Sequence, residues 1–337
     1  NDGKGNFKKD VAALPIMITS GSSVIAADYD SDGDLDLFVA GRCVPGQYPL
    51  NPRSYLLNNN KGKFADVTAK IAPELDTIGM VTSAIWSDYD NDNDPDIVLV
   101  GEWMSPHVIR NDKGKFKDAT ATSGLENQKG WWNSIIAGDF DNDGDMDYVA
   151  GNLGLNTSQR MKASNEYPIR LYANDFDDNG SVDLIRSYYY RGIEYPTRGR
   201  QTMASQMPPF IRRKFPTYAA YAAASIQEIF DKKKLDSAIR LEATTMASSY
   251  IENLGNGKFK LSPLPIEAQA SPTFGLITQD FNADGNLDLA LVGNFYGPDQ
   301  DVVRYDAGSG LVLQGDGAGN FMPLDLAGSD PLAHIGI

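Results

Sequence analysis

A nine-residue acidic segment recurs along this chain of 337 residues, and it constrains the fold more than any other feature. Each copy has Asp or Asn at most odd positions and is followed at once by a short, mainly apolar run. Like charges at alternate positions repel, so the segment is unfavourable unless a cation lies among the carboxylates or the side chains diverge. We number its positions 1 to 9 and call the copies acidic loops one to five, which begin at Asp28 (DYDSDGDLD), Asp88 (DYDNDNDPD), Asp139 (DFDNDGDMD), Asp175 (DFDDNGSVD) and Asp280 (DFNADGNLD).

The odd positions of each loop hold candidate metal ligands. Position 6 is Gly in four copies and Asn93 in the second, and these residue types adopt positive φ most readily. A chain that kinks there wraps around a point and presents side-chain oxygens from positions 1, 3, 5 and 9 and the backbone carbonyl of position 7. Calcium takes about six to eight such oxygen ligands. We therefore predict up to five Ca²⁺ ions, held by Asp28, Asp30, Asp32, Asp34 and Asp36; Asp88, Asp90, Asp92, Asp94 and Asp96; Asp139, Asp141, Asp143, Asp145 and Asp147; Asp175, Asp177, Asn179, Ser181 and Asp183; and Asp280, Asn282, Asp284, Asn286 and Asp288.

Two other readings of the loops are weaker. An EF-hand needs Glu at position 12 and flanking helices, but position 12 is apolar in four copies and Arg186 in the fourth. Solvated hairpins are the second alternative, because Asp, Asn and Gly are ordinary turn formers, although repetition of one pattern disfavours it. Binding should be weaker in loop two, which has Asn93 and Pro95, and in loops four and five, where Asn179 and Asn282 replace Asp.

The apolar runs after the loops predict an all-β protein. Runs such as LFVAG and IVLVG are typical of buried strands, and Gly-rich turns such as NNNKGKF and NDKGKF predict hairpins. Four strands per repeat at these spacings fit a β-propeller of four-stranded blades. We predict a single domain over residues 1–337 with five recognisable blades and a partial one, and six or seven blades in an intact ring.

The spacing of the loops is irregular in two places. The apolar stripe of TYAAYAAASIQEIF, with Thr217 as N-cap, predicts a helical insertion near residues 200–240, within the fourth blade. The third blade lacks a glycine hairpin of its own, so residues 151–168 are expected to form an abbreviated outer edge. The opening segment NDGKGNFKKD is expected to be an outer hairpin, completed by the terminal LAHIGI or by blades upstream of a fragment.

Composition limits the partners and the compartment. The formal net charge is -15 and nearly half of the 45 acidic residues lie in the acidic loops, which disfavours nucleic acid as a partner. No apolar run reaches the roughly 18 residues of a membrane span. Cys43 is the sole cysteine, so no disulfide forms within the chain. Weak calcium sites favour a location outside the cytosol, and no feature specifies an oligomeric state.

The acidic loops, apolar strands and glycine hairpins together resemble the FG-GAP/VCBS repeats of integrin-α-like propellers. The segments GWWNSIIAGDFDNDGDMDYVAGNLGLNT and ATTMASSYIENLGNGKFKLSPLP are similar to bacterial VCBS-repeat surface proteins that often carry ASPIC/UnbV segments. The resemblance implies a calcium-binding propeller that is secreted, periplasmic or attached to the cell surface, with ligands at the odd loop positions. It also implies a binding role.

Enzyme motifs are scarce. The chain has no G-x-S-x-G, H-E-x-x-H or C-x-x-C motif, and its histidines are His107 and His334. A glycan-active enzyme, either a glycosidase or a lyase, remains the alternative, because a glycosidase needs only two carboxylates in a cleft and Glu102, Glu194 and Glu242 are available.

Loop aromatic and basic residues favour a non-catalytic surface that recognises a glycan or a partner protein. Tryptophan in a loop can stack on a sugar ring or anchor a protein partner. Packing between blades is the other role open to Trp131 and Trp132. The candidate ligand-binding residues are Trp103, Trp131, Trp132, Tyr189, Arg198 and Arg200.

Overall fold

The computed structural model describes residues 3–157, 162–297 and 304–324. Its strands form antiparallel sheets built on four strands each, and its helices are short. The predicted all-β class is therefore confirmed. Sheets of this kind follow from the short apolar runs, which alternate with turn residues too often for long helices.

The first and second sheets have the same order of strands. An acidic loop joins the first strand of each to the second, and a glycine turn joins the third to the fourth. The first sheet contains β1 (Ser20–Ala27), β2 (Asp36–Cys43), β3 (Tyr55–Asn60) and β4 (Lys63–Asp66), followed by helix α1 (Thr68–Ile71) and a 3-10 turn (Pro73–Thr77). The second contains β5 (Met80–Ser87), β6 (Asp96–Met104), β7 (His107–Asn111) and β8 (Phe116–Asp118), with α2 (Thr120–Ser123) after it and the short β9 (Gly130–Trp131) paired with β6.

The third sheet is interrupted in sequence but complete in space. Its inner strands are β10 (Ser134–Gly138) and β11 (Asp147–Gly151), and its outer strands are β16 (Ser249–Asn253) and β17 (Phe259–Pro263). Tyr148 pairs with Ile251 across the junction. The expectation that residues 151–168 form this outer edge is wrong. The third sheet does have a glycine hairpin, between β16 and β17, and it lies far along the chain because residues 152–248 intervene.

An inserted sheet occupies that interruption and carries acidic loop four. Its strands are β12 (Ile169–Asn174), β13 (Asp183–Tyr190), β14 (Ile193–Pro196) and β15 (Ile239–Ala243), in the order β14-β13-β12-β15. Between β14 and β15 lie the helices α3 (Arg200–Gln206), α4 (Phe210–Lys214), α5 (Tyr218–Ala223), α6 (Ile226–Ile229) and α7 (Lys232–Ser237). The predicted N-cap forms, since the hydroxyl of Thr217 accepts a hydrogen bond from the backbone N–H of Ala220.

The last sheet repeats the order of the first. It contains β18 (Gly275–Gln279), β19 (Asp288–Val292), β20 (Leu311–Gly315) and β21 (Phe321–Pro323), and a 3-10 turn (Ile266–Gln269) precedes it. Strands β1, β5, β10 and β18 pack side by side in that order. The first, second, third and last sheets therefore follow one another. The inserted sheet instead packs its β15 against β6 and β9.

The prediction of five equivalent, successive blades is wrong for the fourth. In the other sheets the strand before the acidic loop is an edge strand, whereas β12 is paired on both sides, with β13 and with β15. In the other sheets the free edge belongs to the strand before the acidic loop, and these strands pack side by side. In the inserted sheet β15 covers that edge of β12, so β12 cannot join the row of β1, β5, β10 and β18.

An aromatic residue at position 2 of acidic loops one, two and three joins consecutive sheets. Tyr29 of loop one packs on Phe116 of the second sheet, with ring centroids 5.3 Å apart. Tyr89 of loop two lies 5.8 Å from Phe259 of the third sheet. In loop three the ring at position 2 meets that of Phe321 in the last sheet at 5.5 Å. Each of these phenylalanines follows the glycine turn of its own sheet. The glycine turn of one sheet therefore shares an apolar contact with the acidic loop of the preceding sheet.

The chain termini differ from expectation or lie outside the described residues. Residues 3–19 contain no strand, and the ring of Phe7 is 83% exposed, so the predicted opening hairpin does not form there. The segment LAHIGI lies outside the described residues, and its role as a closing strand stays a prediction.

Trp132 should contribute strongly to stability, because its side chain is fully buried between the second and third sheets. We expect Trp132→Ala to lower the free energy of unfolding by about 3 to 5 kcal/mol and Trp132→Phe to lower it by less. Urea denaturation followed by circular dichroism measures both. An unchanged midpoint for Trp132→Ala would place this residue outside the core.

Candidate metal sites and binding cavity

The five acidic loops adopt one backbone conformation. Position 6 is left-handed in each, with φ between 69° and 93°, as the glycine pattern predicts. Position 4 is also left-handed, with φ between 59° and 62°, although it is Ser31, Asn91, Asn142, Asp178 or Ala283. Among the five residues at position 4, only the two Asn and the one Asp indicate a left-handed backbone from the sequence, since these residue types tolerate this conformation better than others. Two kinks in three residues turn the loop tightly around its own centre.

The carboxylate at position 1 holds the loop closed. In loop one, Asp28 accepts hydrogen bonds from the backbone N–H groups of Asp32 and Gly33, both at 3.0 Å. Loops two, four and five repeat this pair, and in loop three Gly144 donates to Asp139 at 3.2 Å. The acidic side chain therefore has a structural role in the loop itself, beside any role as a ligand.

The buried aspartate at position 9 ties each loop to its sheet. Asp36 accepts the backbone N–H of Tyr29 at 3.3 Å and that of Asn59, on β3, at 2.7 Å. Equivalent bonds reach the third strands of the second, third and last sheets. In the inserted sheet the amide of Gln206, on α3, takes this place and donates to Asp183 at 3.1 Å. The sheet register and the loop are thus set by one side chain.

Burial makes these carboxylates difficult to ionise without a cation. It raises the pKa of Asp36 and Asp147 to about 6 and that of Asp96 to about 8, and the backbone hydrogen bonds that they accept offset only part of the rise. The aspartate at position 3 of each of these loops raises the pKa further by charge repulsion. A bound cation would stabilise the charged forms.

Carboxylate oxygens converge in four loops to within 4.8 Å of one another, which is close enough to share a metal ion. The donor sets contain only oxygen, as hard cations such as calcium require. Buried oxygens of Asp90, Asp139 and Asp177 have no hydrogen-bond partner, and a cation would satisfy them. The residues therefore fit a metal ion. The converging groups are Asp28, Asp30 and Asp32; Asp88, Asp90 and Asp96; Asp139, Asp141 and Asp147; and Asp175, Asp177 and Asp183.

Basic side chains contact two of the loops and would compete with a bound ion. Arg110 lies 3.1 Å from Asp90 and 3.3 Å from Asp92 in loop two. Lys234 pairs with Asp178 in loop four and donates to the backbone carbonyl of Asp175 at 2.6 Å. These contacts give a second physical reason to expect weaker binding in loops two and four.

Neighbouring loops are joined by hydrogen bonds. The amide of Asn91, at position 4 of loop two, donates to Asp145 at position 7 of loop three. Asn142 of loop three donates in the same way to Asn286 of loop five, at 3.1 Å. The loops of the second, third and last sheets therefore form a connected row.

A cavity of about 350 Å³ lies at the opposite end of the sheets. In the first, second, third and last sheets its lining residues lie at or beyond the ends of the first two strands that are remote from the acidic loops, whereas in the inserted sheet residues within the strands line it. Along β6 the separation is roughly 20 Å, at about 3.3 Å per residue. The inserted sheet closes one side. Lining residues include Arg42, Tyr48, Glu102, Trp103, Trp131, Asn133, Leu153, Leu171, Leu184, Arg186, Thr197, Arg198, Phe274, Phe295 and Tyr305.

Two tryptophans form a corner in this cavity. The rings of Trp103 and Trp131 meet edge to face, with centroids 4.8 Å apart. Trp103 has φ of 62°, a costly conformation for a bulky residue. Its indole N–H donates to the hydroxyl of Tyr48 at 2.7 Å, and that hydroxyl donates to Glu102 at 3.3 Å. Arg42 pairs with Glu102 at 2.8 Å. A network of polar contacts through Tyr48, Glu102 and Arg42 therefore holds the aromatic corner in place.

The structure brings together only some of the predicted ligand-binding residues. Trp103, Trp131 and Arg198 line the cavity. Trp132 does not, because its side chain is buried and its indole N–H donates to the carbonyl of Gln128 at 3.2 Å. Its prediction as a surface contact is wrong. Burial follows because Trp131 and Trp132 are neighbours beside a strand, where successive side chains point to opposite faces.

The other two candidates stabilise the inserted sheet. The hydroxyl of Tyr189 accepts a hydrogen bond from Arg170 at 2.6 Å. Arg200 donates to the carbonyl of Phe215 at 2.7 Å and so joins two helices. Neither residue lines the cavity.

Sequence reasoning missed Arg42, Tyr48 and Arg186 as cavity residues. Arg186 did leave a signal, because it stands at position 12 of loop four, where the other loops have an apolar residue. Its guanidinium lies over the ring of Trp131, 5.4 Å from the centroid. No feature of the sequence alone identifies Arg42 or Tyr48 as a cavity residue.

The carboxylates considered for catalysis do not form a pair in the cavity. Glu102 is the one acidic residue among the described residues that line it. Glu194 is buried in the inserted sheet and accepts hydrogen bonds from Ser187 at 2.6 Å and Tyr172 at 3.0 Å. Arg170 bonds both Glu194 and Glu242, at 3.2 and 2.9 Å.

Comparison with known proteins matches the centre of the chain. The FG-GAP-like repeat family model matches residues 88–150, which contain acidic loops two and three and the strands β6 to β10. No curated protein matches the chain. Among the described residues no helix has the length and apolar character needed to cross a membrane.

Removing calcium should destabilise the protein. Each occupied site contributes about 2.7 kcal/mol when free calcium is a hundredfold above the dissociation constant, so we expect EGTA to lower the melting temperature. The double variant Asp30→Ala/Asp32→Ala should lose one ion by elemental analysis and part of the response to EGTA. Asp112→Ala/Asp236→Ala, which removes two exposed carboxylates outside the loops, serves as the control and should retain both. An EGTA-insensitive midpoint without bound calcium would refute the sites.

Because loops two, three and five are joined by hydrogen bonds, calcium binding at one of them should affect calcium binding at its neighbour. Asn91→Gly removes the hydrogen bond to Asp145 but preserves the left-handed backbone. A loss of about 1 kcal/mol would weaken calcium binding at loop three roughly fivefold, as reported by the amide resonance of Gly144 during a calcium titration. Asn127→Ala, an exposed change outside the loops, should have no effect. Identical Gly144 titrations for Asn91→Gly and the unaltered protein would contradict the coupling.

Proposed function

We propose that the protein is a calcium-stabilised β-propeller module that acts outside the cytosol and recognises a glycan or a partner protein without catalysis. The observation that carries the proposal is the aromatic corner of Trp103 and Trp131 in the cavity opposite the acidic loops. We propose further that the protein is related to bacterial VCBS-repeat surface proteins, including those that carry ASPIC/UnbV segments.

The arrangement of the sheets supports the propeller. The strands before loops one, two, three and five pack side by side, as the inner strands of successive blades do. Aromatic contacts between loops one, two and three and the glycine turn of the next sheet repeat from sheet to sheet. A repeat scaffold of this kind presents its variable segments as a surface on a rigid frame.

The acidic loops support a stabilising role for calcium. Four of them gather carboxylate oxygens, and three contain a buried oxygen that lacks a partner. In the first, second and third sheets, ions bound there would offset carboxylate repulsion at one end, while the cavity lies at the other. We therefore assign calcium to the scaffold and ligand recognition to the cavity. A calcium requirement of this kind fits an extracellular setting, where the ion is abundant.

The cavity supports recognition of a small ligand or of a protruding group. Its volume of about 350 Å³ is typical of small-ligand sites. The left-handed backbone of Trp103 costs energy that the surrounding contacts must offset, and such strain is concentrated at functional sites. Trp131 is only partly buried, so one part of the corner is accessible.

The same cavity gives less support to a glycosidase. Glycoside hydrolysis generally needs two carboxyl groups that flank the scissile bond, and among the described lining residues Glu102 alone is acidic. Glu102 is also engaged by Arg42 and Tyr48. A binding role needs neither a free carboxylate nor a second one.

A glycan array run beside a hydrolysis screen on the same polysaccharides tests the proposal. We expect binding without turnover, and a loss of roughly tenfold or more in affinity for Trp131→Ala, since aromatic anchors commonly contribute more than about 1 kcal/mol. Tyr218→Ala, which removes an exposed ring from α5, is the matched control and should leave binding unchanged. Release of reducing sugar that is abolished by Glu102→Gln would establish the enzyme alternative.

A further inference from the structure

We propose that a second copy of this chain associates head to tail with the first, through the outward faces of the first and last sheets. The first, second, third and last sheets form a series in which each packs on the next. Within the described residues, the first sheet has no preceding neighbour in this series and the last sheet has no following one. The inference comes from residues that recur at the same place in each sheet but differ in exposure, and it does not depend on what the cavity binds.

The residue four positions before each acidic loop points to the preceding sheet. Ala84 of β5 packs in the core shared with the first sheet, and Ile135 of β10 packs in the core shared with the second. Both side chains are buried. Val24 has this place in β1, and it is 61% exposed. The face of the first sheet that would meet a preceding sheet is therefore apolar and uncovered.

The next residue along each of these strands points to the following sheet, because successive side chains of a strand alternate between its faces. In β1, β5 and β10 this residue packs against the core that joins its sheet to the next. In the last sheet it is Ile277, which is 59% exposed. The face of the last sheet that would meet a following sheet is thus uncovered as well. The packed counterparts of Ile277 are Ile25, Ile85 and Ile136.

The aromatic contact between consecutive sheets is divided in the same way. In loops one to three the ring at position 2 is buried against the phenylalanine of the next sheet. Phe281, at position 2 of loop five, is 46% exposed. Phe64 has the place of the partner phenylalanine in the first sheet, and it is only partly buried. One end of the series therefore presents the loop aromatic, and the other presents the phenylalanine that would meet it.

A hydrogen bond gives the same interface polar specificity. In the second and third sheets an asparagine of the third strand donates from its side-chain amide to the carbonyl at position 2 of the preceding loop, at 2.9 Å in both. Asn59 has this place in the first sheet, and among the described residues its amide donates only to Leu35 of its own loop, at 2.8 Å. The carbonyl of Phe281 is the equivalent acceptor at the other end. The two donors are Asn111 and Asn253.

A second copy of the chain supplies both missing halves of this interface. The last sheet of one copy presents what the first sheet of the other copy lacks, so two copies joined head to tail cover all four outward faces. Contacts of this heterologous kind form a ring when the rotation closes. Four sheets from each chain make a series of eight, which lies within the roughly four to eight blades of β-propellers. This number replaces the six or seven blades expected from the sequence.

Sedimentation velocity of the unaltered protein in calcium-containing buffer tests the proposal. We expect a dimer, and we expect Val24→Asp and Ile277→Asp each to raise its dissociation constant roughly a hundredfold or more, because each change places an unpaired carboxylate in an apolar contact. Ile266→Asp, an exposed change in the 3-10 turn before β18, is the matched control and should remain dimeric. Circular dichroism verifies that each variant is folded.

Mixing the two variants identifies the head-to-tail arrangement. Each variant alone has one altered face at both junctions, whereas the last sheet of the Val24→Asp protein and the first sheet of the Ile277→Asp protein are both unaltered. The mixture should therefore recover one junction and associate more tightly than either variant alone at the same total concentration. A monomeric unaltered protein, a dimer disrupted by only one of the two variants, or a mixture that associates no better than its components would overturn the proposal.

Discussion

The aspartate at position 9 of each acidic loop is the interaction on which the rest of the structure depends. It is buried at the start of the second strand and accepts backbone hydrogen bonds from its own loop and, in four of the sheets, from the third strand. One carboxylate therefore determines both where the loop closes and which register three strands adopt. A buried charge is costly unless it is compensated, so the same residue that orders the sheet also creates the demand for a cation.

Much of this repeating unit could be predicted from the sequence, because its period is short and its constraints are local. The glycines at position 6, the ligand pattern and the apolar runs all indicated strands joined by tight acidic loops. Position 4 was missed, since Ser31 and Ala283 give no hint of a left-handed backbone. The aromatic residue at position 2 was visible in every copy, but in loops one to three its partner phenylalanine lies in another sheet, and sequence proximity could not reveal that contact.

The long-range features were harder to predict for a different physical reason. Strand pairing depends on which edges remain open, and β11 pairs with a strand almost a hundred residues later. The cavity has the same origin, because its walls combine the ends of successive sheets with the inserted sheet, which packs against β6 and β9. Residues that line it, such as Arg42 and Tyr48, therefore carry little local signature. The repeated sheets form the scaffold, and the inserted sheet, which departs from the repeat, closes one side of the cavity.

The interrupted third sheet has a consequence for the order in which the chain folds during synthesis. Strands β10 and β11 emerge early, but β16 and β17 follow only after the whole inserted sheet. Until then β11 presents an unpaired edge, which is prone to aggregation. The inserted sheet has local pairings and closes its own ends when β15 meets β12. Closure of the inserted sheet shortens the flexible chain between β11 and β16. The insertion therefore favours the pairing of β16 with β11 that completes the third sheet.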